Sequence, residues 1–210
     1  MKWNRSIFLT LGIFCSAAAQ NLELGEEKWH GAQIKTRKNG TAVYSFNKRD
    51  SIVFQTKDLE GEFSFALWMK PDPEALKGTP ILTRIGFHTQ LGIFKDGRFY
   101  FHIWTQSRKP LYLFGPRIRA GEWQHVTALF SRKQGGMSLY LNGEKVASRI
   151  VRDSPLELRS RFVVGRVPGE KQGYSGLLAK IMIFENALSP DKIRALADTK
   201  PEDETEPSAH

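Results

Sequence analysis

Between residues 41 and 185 short apolar runs alternate with turn residues, at the spacing of β-strands rather than helices. Residues 41–46 (TAVYSF) and 51–55 (SIVFQ) flank a four-residue loop, Asn47-Lys48-Arg49-Asp50. In 63–70 (FSFALWMK), Phe63, Phe65, Leu67 and Met69 fall on one face and Ser64, Ala66, Trp68 and Lys70 on the other. That period of two marks a strand buried on one side. Residues 91–104 hold two apolar runs around Asp96-Gly97, and 137–148 read as a second hairpin turning at Asn142-Gly143. Strands over 123–131, 162–165 and 176–184 bring the expected number to about ten.

One helix is expected after them. Ser189 is suited to the N-cap, Pro190 to the first helical position, and Ile193, Leu196 and Ala197 recur at helical spacing. Many short strands without interleaved helices predict an all-β fold: a two-sheet antiparallel jelly-roll sandwich with one short C-terminal helix. No linker composition divides residues 20–197, which are expected to form one domain. Fourteen Phe and five Trp in 210 residues supply its core and exclude a disordered chain.

The two ends read differently. Lys2 and Arg5 precede the short apolar run 7–15, and Ala17-Ala18-Ala19 offers a cleavage site, so residues 1–19 read as a secretory signal. The run is too short to span a membrane, which takes roughly 20 residues, and no transmembrane segment is expected. Cys15 follows Phe14, where a lipid-attachment motif has a small residue, so this single cysteine is expected to leave with the signal cut near Ala19. A mature chain without cysteine predicts a secreted or periplasmic protein of bacterial type, with neither disulfides nor a thiolate metal site. Residues 198–210 (DTKPEDETEPSAH) have no apolar anchor and are expected to be a disordered acidic tail.

Charge sharpens this picture. The whole chain carries 31 basic and 22 acidic side chains, for a net +9. Without the signal and the tail, 28 basic residues face 17 acidic ones in 20–197. Such a surface suits polyanions. Two arginine-rich segments stand out: Arg108, Lys109, Arg117 and Arg119 in one, and Arg149, Arg152, Arg159, Arg161 and Arg166 in the other. Arginine matches carboxylate and sulfate with a planar fork. The same residues also suit solvated loops and edge strands that resist edge pairing.

The stretches FSFALWMKP, GEWQHVTALFSRKQGGMSLYLNGEKVAS, FVVGR and GLLAKIMIFENALSPDKI, in this order and spacing, resemble laminin G-like (LamG-like) domains of the concanavalin A-like lectin/glucanase superfamily. The resemblance covers about residues 41–197. It implies a jelly-roll module that binds carbohydrate or protein, or less often cleaves glycans.

Catalytic patterns are missing. Hydrolases of this superfamily place acids two or three residues apart on one strand, and glycoside cleavage needs two carboxyl groups roughly 5–9.5 Å apart. The nearest match, Asp58-Leu59-Glu60-Gly61-Glu62, precedes the strand at 63 and reads as a solvated connection. No phosphate-binding, zinc-protease or serine-hydrolase motif occurs. No catalytic residue is therefore assigned, although Tyr100 and His102 alternate on one strand, as proton carriers of a lyase would. The resemblance also implies a calcium site with acids on the final strand. Here Ala179 and Lys180 stand in their place, leaving Asn47 and Asp50 as the only suggested Ca²⁺ ligands.

The strand 98–104 carries the expected ligand site. Phe99, Phe101 and Ile103 suit the core, and the alternate set Tyr100, His102 and Trp104 suits an outer face, with Arg98 and Arg108 beside it. Such rings stack on sugars. They equally form an aromatic ladder that only stabilises a sheet. The expected partner is a glycan, acidic or sulfated, bound in a lectin-like manner without catalysis. A glycoside hydrolase or polysaccharide lyase, and an adhesion domain with a cell-surface protein partner, are the alternatives. Nucleic acid is not expected.

Overall fold

A computed structural model describes residues 27–36, 41–55, 58–59, 61–86, 89–156, 161–167, 170 and 172–202. The signal segment with Cys15, residues 203–210, Glu60 and Arg159 lie outside the described residues.

Among the described residues, fourteen strands build two seven-stranded antiparallel sheets. The strands are β1 (Glu27–His30), β2 (Gln33–Thr36), β3 (Ala42–Phe46), β4 (Ser51–Gln55), β5 (Phe63–Pro71), β6 (Ile81–Ile85), β7 (Thr89–Ile93), β8 (Arg98–Trp104), β9 (Pro110–Arg117), β10 (Gln124–Ser131), β11 (Gly136–Leu141), β12 (Glu144–Ile150), β13 (Arg161–Gly165) and β14 (Gly176–Phe184). One sheet runs β1-β4-β13-β6-β7-β8-β9 and the other β12-β11-β10-β5-β14-β3-β2. A short 3-10 helix spans Pro73–Lys77, and helix α1 spans Pro190–Ala197. The expected two-sheet sandwich with one C-terminal helix is the fold observed. No helix among the described residues is long and apolar enough to cross a membrane.

Alternation on the strands fixes the two layers. Phe63, Phe65, Leu67 and Met69 of β5 enter one core with Phe99, Phe101 and Ile103 of β8, and Phe63 and Phe65 both pack edge-on to Phe101. Both sheets thus share a single apolar interior. The opposite face of β5 is also buried. Ala66 lies under α1 with Leu129, Tyr140, Leu188 and Ile193, while Trp68 packs with Trp123, Val43 and Ala179.

The turns follow their residues. Asn142 and Gly143 both adopt positive φ between β11 and β12, as a two-residue hairpin turn requires. Ser189 caps α1 by accepting the Lys192 N–H at 3.3 Å.

Four strands escaped the sequence pattern: β1, β2, β6 and β9. The expected tail boundary also moves. Asp198 caps α1 through its backbone N–H, the Thr199 carbonyl accepts Lys180 Nζ at 2.7 Å, and Pro201 is buried. The packed chain therefore extends past residue 198 to Pro201.

Candidate functional site

The outer face of the sheet ending in β8 and β9 is where rings and cations gather. Register sets the rows. Arg84 of β6 pairs with Gln90 of β7, Gln90 with His102 of β8, and His102 with Tyr112 of β9. The neighbouring row runs Gly92, Tyr100, Phe114. Residues in register on adjacent strands share a face, so these groups form one surface.

Ring geometry gives that surface its shape. Tyr112 stacks on His102 with centroids 4.3 Å apart, and Trp104 meets His102 edge-on at 6.3 Å. Tyr100 touches Tyr112 and Phe114 at 6.1 Å each and Phe94 at 6.3 Å. Gly92 makes room for the Tyr100 ring, since a Cβ there would stand 2.8 Å from its Oη and from the Pro80 carbonyl. Tyr100 and His102 are each 5% exposed, whereas Tyr112 is 43% exposed. Two of the expected contact residues are therefore the floor of the stack, and Tyr112 is its open ring. Trp104 is half-buried at the edge.

Cations border the rings. The Arg98 guanidinium lies over Phe114 at 4.7 Å and donates from Nε to Asp96 Oδ2 at 2.8 Å. Its backbone N–H also donates to Asp96, and these bonds hold the Asp96 carboxyl below its ordinary range. Arg117 pairs with Arg98 across the β8–β9 ladder. Arg149 reaches over from β12 to donate to the Tyr112 carbonyl at 2.9 Å. Arg161 of β13 is exposed, and its carbonyl accepts the Gly86 N–H. Arg108 is exposed at the tip of the β8–β9 turn with φ 58°, beyond the Trp104 end of the stack.

The ionisable groups of this face are held by their surroundings. Burial, then Tyr112, pushes the Tyr100 hydroxyl up to about 12, so it stays protonated at neutral pH, where it accepts Gln90 Nε2 at 3.2 Å. A phenol held neutral is a poor proton acceptor. The carboxylates at hand, Asp96 and Glu170, are engaged by Arg98 and Arg84. On the other sheet His125 is fully buried against Trp68 at 5.3 Å, and burial, then Lys180, pushes it down to about 4. It sits in packing. A small cleft lined by Lys48, Glu74, Lys77 and Gln172 holds an ion-pair cluster, with Glu74 kept below its ordinary range by hydrogen bonds from Lys77 and Lys48.

The loop suggested for calcium is a closed turn. Asp50 Oδ2 accepts the Asn47 N–H at 2.8 Å, Asn47 Oδ1 accepts the Arg49 N–H at 2.9 Å, and the Asp50 N–H returns to the Asn47 carbonyl at 3.0 Å. Gly31 packs so closely on Asp50 Oδ1 that a Cβ would overlap it. On β14, Lys180 at φ 48° points its ammonium to the Thr199 carbonyl. Among the described residues no three His, Cys, Asp or Glu gather for a metal. Two oxygens already spent on a turn, beside Lys48 and Arg49, do not fit a dication that needs six to eight oxygen ligands.

Sequence reasoning missed Arg84, Gln90, Phe94, Tyr112 and Phe114. The last two alternate with Leu111 and Leu113 in PLYLFGPR, a strand signal broken by Pro110 and Pro116.

No curated protein matches the sequence. Solved structures do match in fold. The binding domain of Paraclostridial mosquitocidal protein 1 aligns with TM-score 0.65 and 16% identity over 83% of this chain and 47% of that one. The ligand-binding domain of botulinum neurotoxin serotype D, in complex with N-acetylneuraminic acid, gives 0.66 and 18% over 86% and 46%. Domain 4 of AbnA, an extracellular GH43 arabinanase from Geobacillus stearothermophilus, in complex with arabinotriose, gives 0.61 and 18% over 83% and 89%. The chain spans about half the length of the two toxin domains. A family model described as the concanavalin A-like lectin/glucanases superfamily (Laminin_G_3) matches residues 46–194, and with the observed sandwich the chain belongs to that family.

Proposed function

We propose that the chain is an exported, non-catalytic, lectin-like module that binds an acidic polysaccharide on the β8–β9 outer face. One observation carries this reading: an open Tyr112 ring stacked 4.3 Å above His102 and flanked by Trp104, with Arg98 fixed over Phe114. A purely structural ladder has no need of an exposed ring bordered by guanidinium groups. Rings offer flat apolar area to sugar rings, and arginine forks read planar anions. The sugar complexes of the serotype D toxin domain and the arabinanase domain, which share the fold, support a glycan ligand. The charged-then-apolar pattern of residues 1–19, ending at Ala17-Ala18-Ala19, supports export.

The test is calorimetric titration of the protein with polygalacturonate, alginate, dextran sulfate and neutral arabinan. Acidic polymers should bind, and Tyr112→Ala should weaken them by roughly tenfold. Absence of binding to every polymer, or an unchanged affinity in Tyr112→Ala, would remove the proposal. Unsaturated products that vanish in Tyr100→Phe and His102→Ala would replace it with the lyase reading.

A further inference from the structure

The centre of this face is marked by Arg84, which the sequence pattern did not single out. Its side chain is only 14% exposed, although it projects from the outer face of β6 in the row that continues through Gln90 and His102 to Tyr112. Three strand spacings separate Arg84 from Tyr112, roughly 14 Å, a span suited to a short oligosaccharide. The guanidinium is held in place, with Nε donating to the Gly86 carbonyl at 3.2 Å. Nη1 faces a carboxylate of the chain itself, Glu170 Oε1, at 3.6 Å.

That carboxylate is presented by a built turn. The Glu170 N–H donates to the Val167 carbonyl at 3.0 Å, and Arg166 Nε donates to the Glu170 carbonyl at 2.9 Å. The contact is long, and half exposed on the glutamate side, which makes it weak and easily exchanged. Gln90, which faces Arg84 across the β6–β7 ladder, donates to the Tyr100 hydroxyl at 3.2 Å and links this row to the aromatic stack.

Resting on the glycan-binding reading, we propose that Arg84 is the subsite for a sugar carboxylate, and that Glu170 is the internal carboxylate which a uronic acid unit displaces. The ligand class this defines is a polyuronate rather than a sulfated polymer, because the group now on Arg84 is a planar carboxylate. The exchange swaps one carboxylate for another and needs no proton or redox step.

The experiment titrates the full chain with trigalacturonate and with its carboxyl-reduced counterpart. Wild type should prefer the acidic form. Arg84→Gln should lose that preference, weakening trigalacturonate by roughly ten- to hundredfold while leaving the reduced sugar within about twofold. Glu170→Gln, at an exposed site that should not disturb folding, should tighten trigalacturonate a fewfold by removing the competitor. If both variants keep the wild-type ratio of the two sugars while Tyr112→Ala loses both, the Arg84 subsite is wrong and the aromatic platform stands. If wild type binds neither sugar, the platform falls with it. Dextran sulfate binding as tightly as the uronate, with equal dependence on Arg84, would replace the carboxylate by a general anion.

Discussion

Single residues decide whether the aromatic face exists at all. Gly92 is required by contact rather than by backbone freedom, since a Cβ would press on Tyr100 Oη and Cε1 and on the Pro80 carbonyl. Gly92→Ala should therefore cost roughly 1–3 kcal/mol by overpacking and tilt the ring stack, visible as a lower Tm and an altered near-ultraviolet spectrum. His125 makes a different prediction. It is buried neutral with its pKa pushed to about 4, against about 6.5 when unfolded, so between these values the unfolded chain binds the extra proton. Stability from this group is complete above pH 6.5 and declines as pH falls to 4, by up to about 1.4 kcal/mol per pH unit. Denaturant unfolding at pH 7, 5.5 and 4 should show that slope. His125→Gln should flatten it; an unaltered slope would assign acid sensitivity to the carboxylates.

Elements show why the sequence was only partly readable. The core strands announce themselves because β5, β8 and β10 alternate or run apolar without interruption, and the β7–β8 and β11–β12 hairpins carry Asp96-Gly97 and Asn142-Gly143. Prolines at both ends hid β9, yet β9 is an edge strand, where a missing N–H costs no ladder bond. Missing β9 meant missing Tyr112 and Phe114, so the strand 98–104 was seen without the rings that complete its surface. Arg84 was hidden because β6 reads as a short apolar run, ILTRI, whose single charge looks like an interruption. At the other face the helix is tied by one hydroxyl. Ser64 Oγ donates to the Asn186 carbonyl at 2.8 Å and accepts the Leu188 N–H at 3.0 Å, which leads into the Ser189 cap. Ser64→Ala leaves that buried N–H without its acceptor and should cost about 1–3 kcal/mol, measured by denaturant unfolding.

For the molecule as a whole, the question is how far a net charge of +9 acts through distance and how far through contact. Basic residues are spread widely: Lys133 and Lys145 are exposed on the sheet that carries α1, while Arg98, Arg117 and Arg161 belong to the sheet with the aromatic face. Charges more than about 8 Å apart are largely screened at physiological salt. The far lysines then act on encounter with a polyanion and little on the bound complex. Ring stacking and the half-buried Arg84 contact are shielded from this screening. Raising salt from 50 to 500 mM should therefore weaken polygalacturonate steeply at first and then level off at a residual affinity. Tyr112→Ala should abolish that plateau and keep the steep part. Neutralising Lys133 and Lys145 together should flatten the steep part and keep the plateau. A wild-type curve that falls without levelling would mean that diffuse charge holds the ligand and the aromatic face does not.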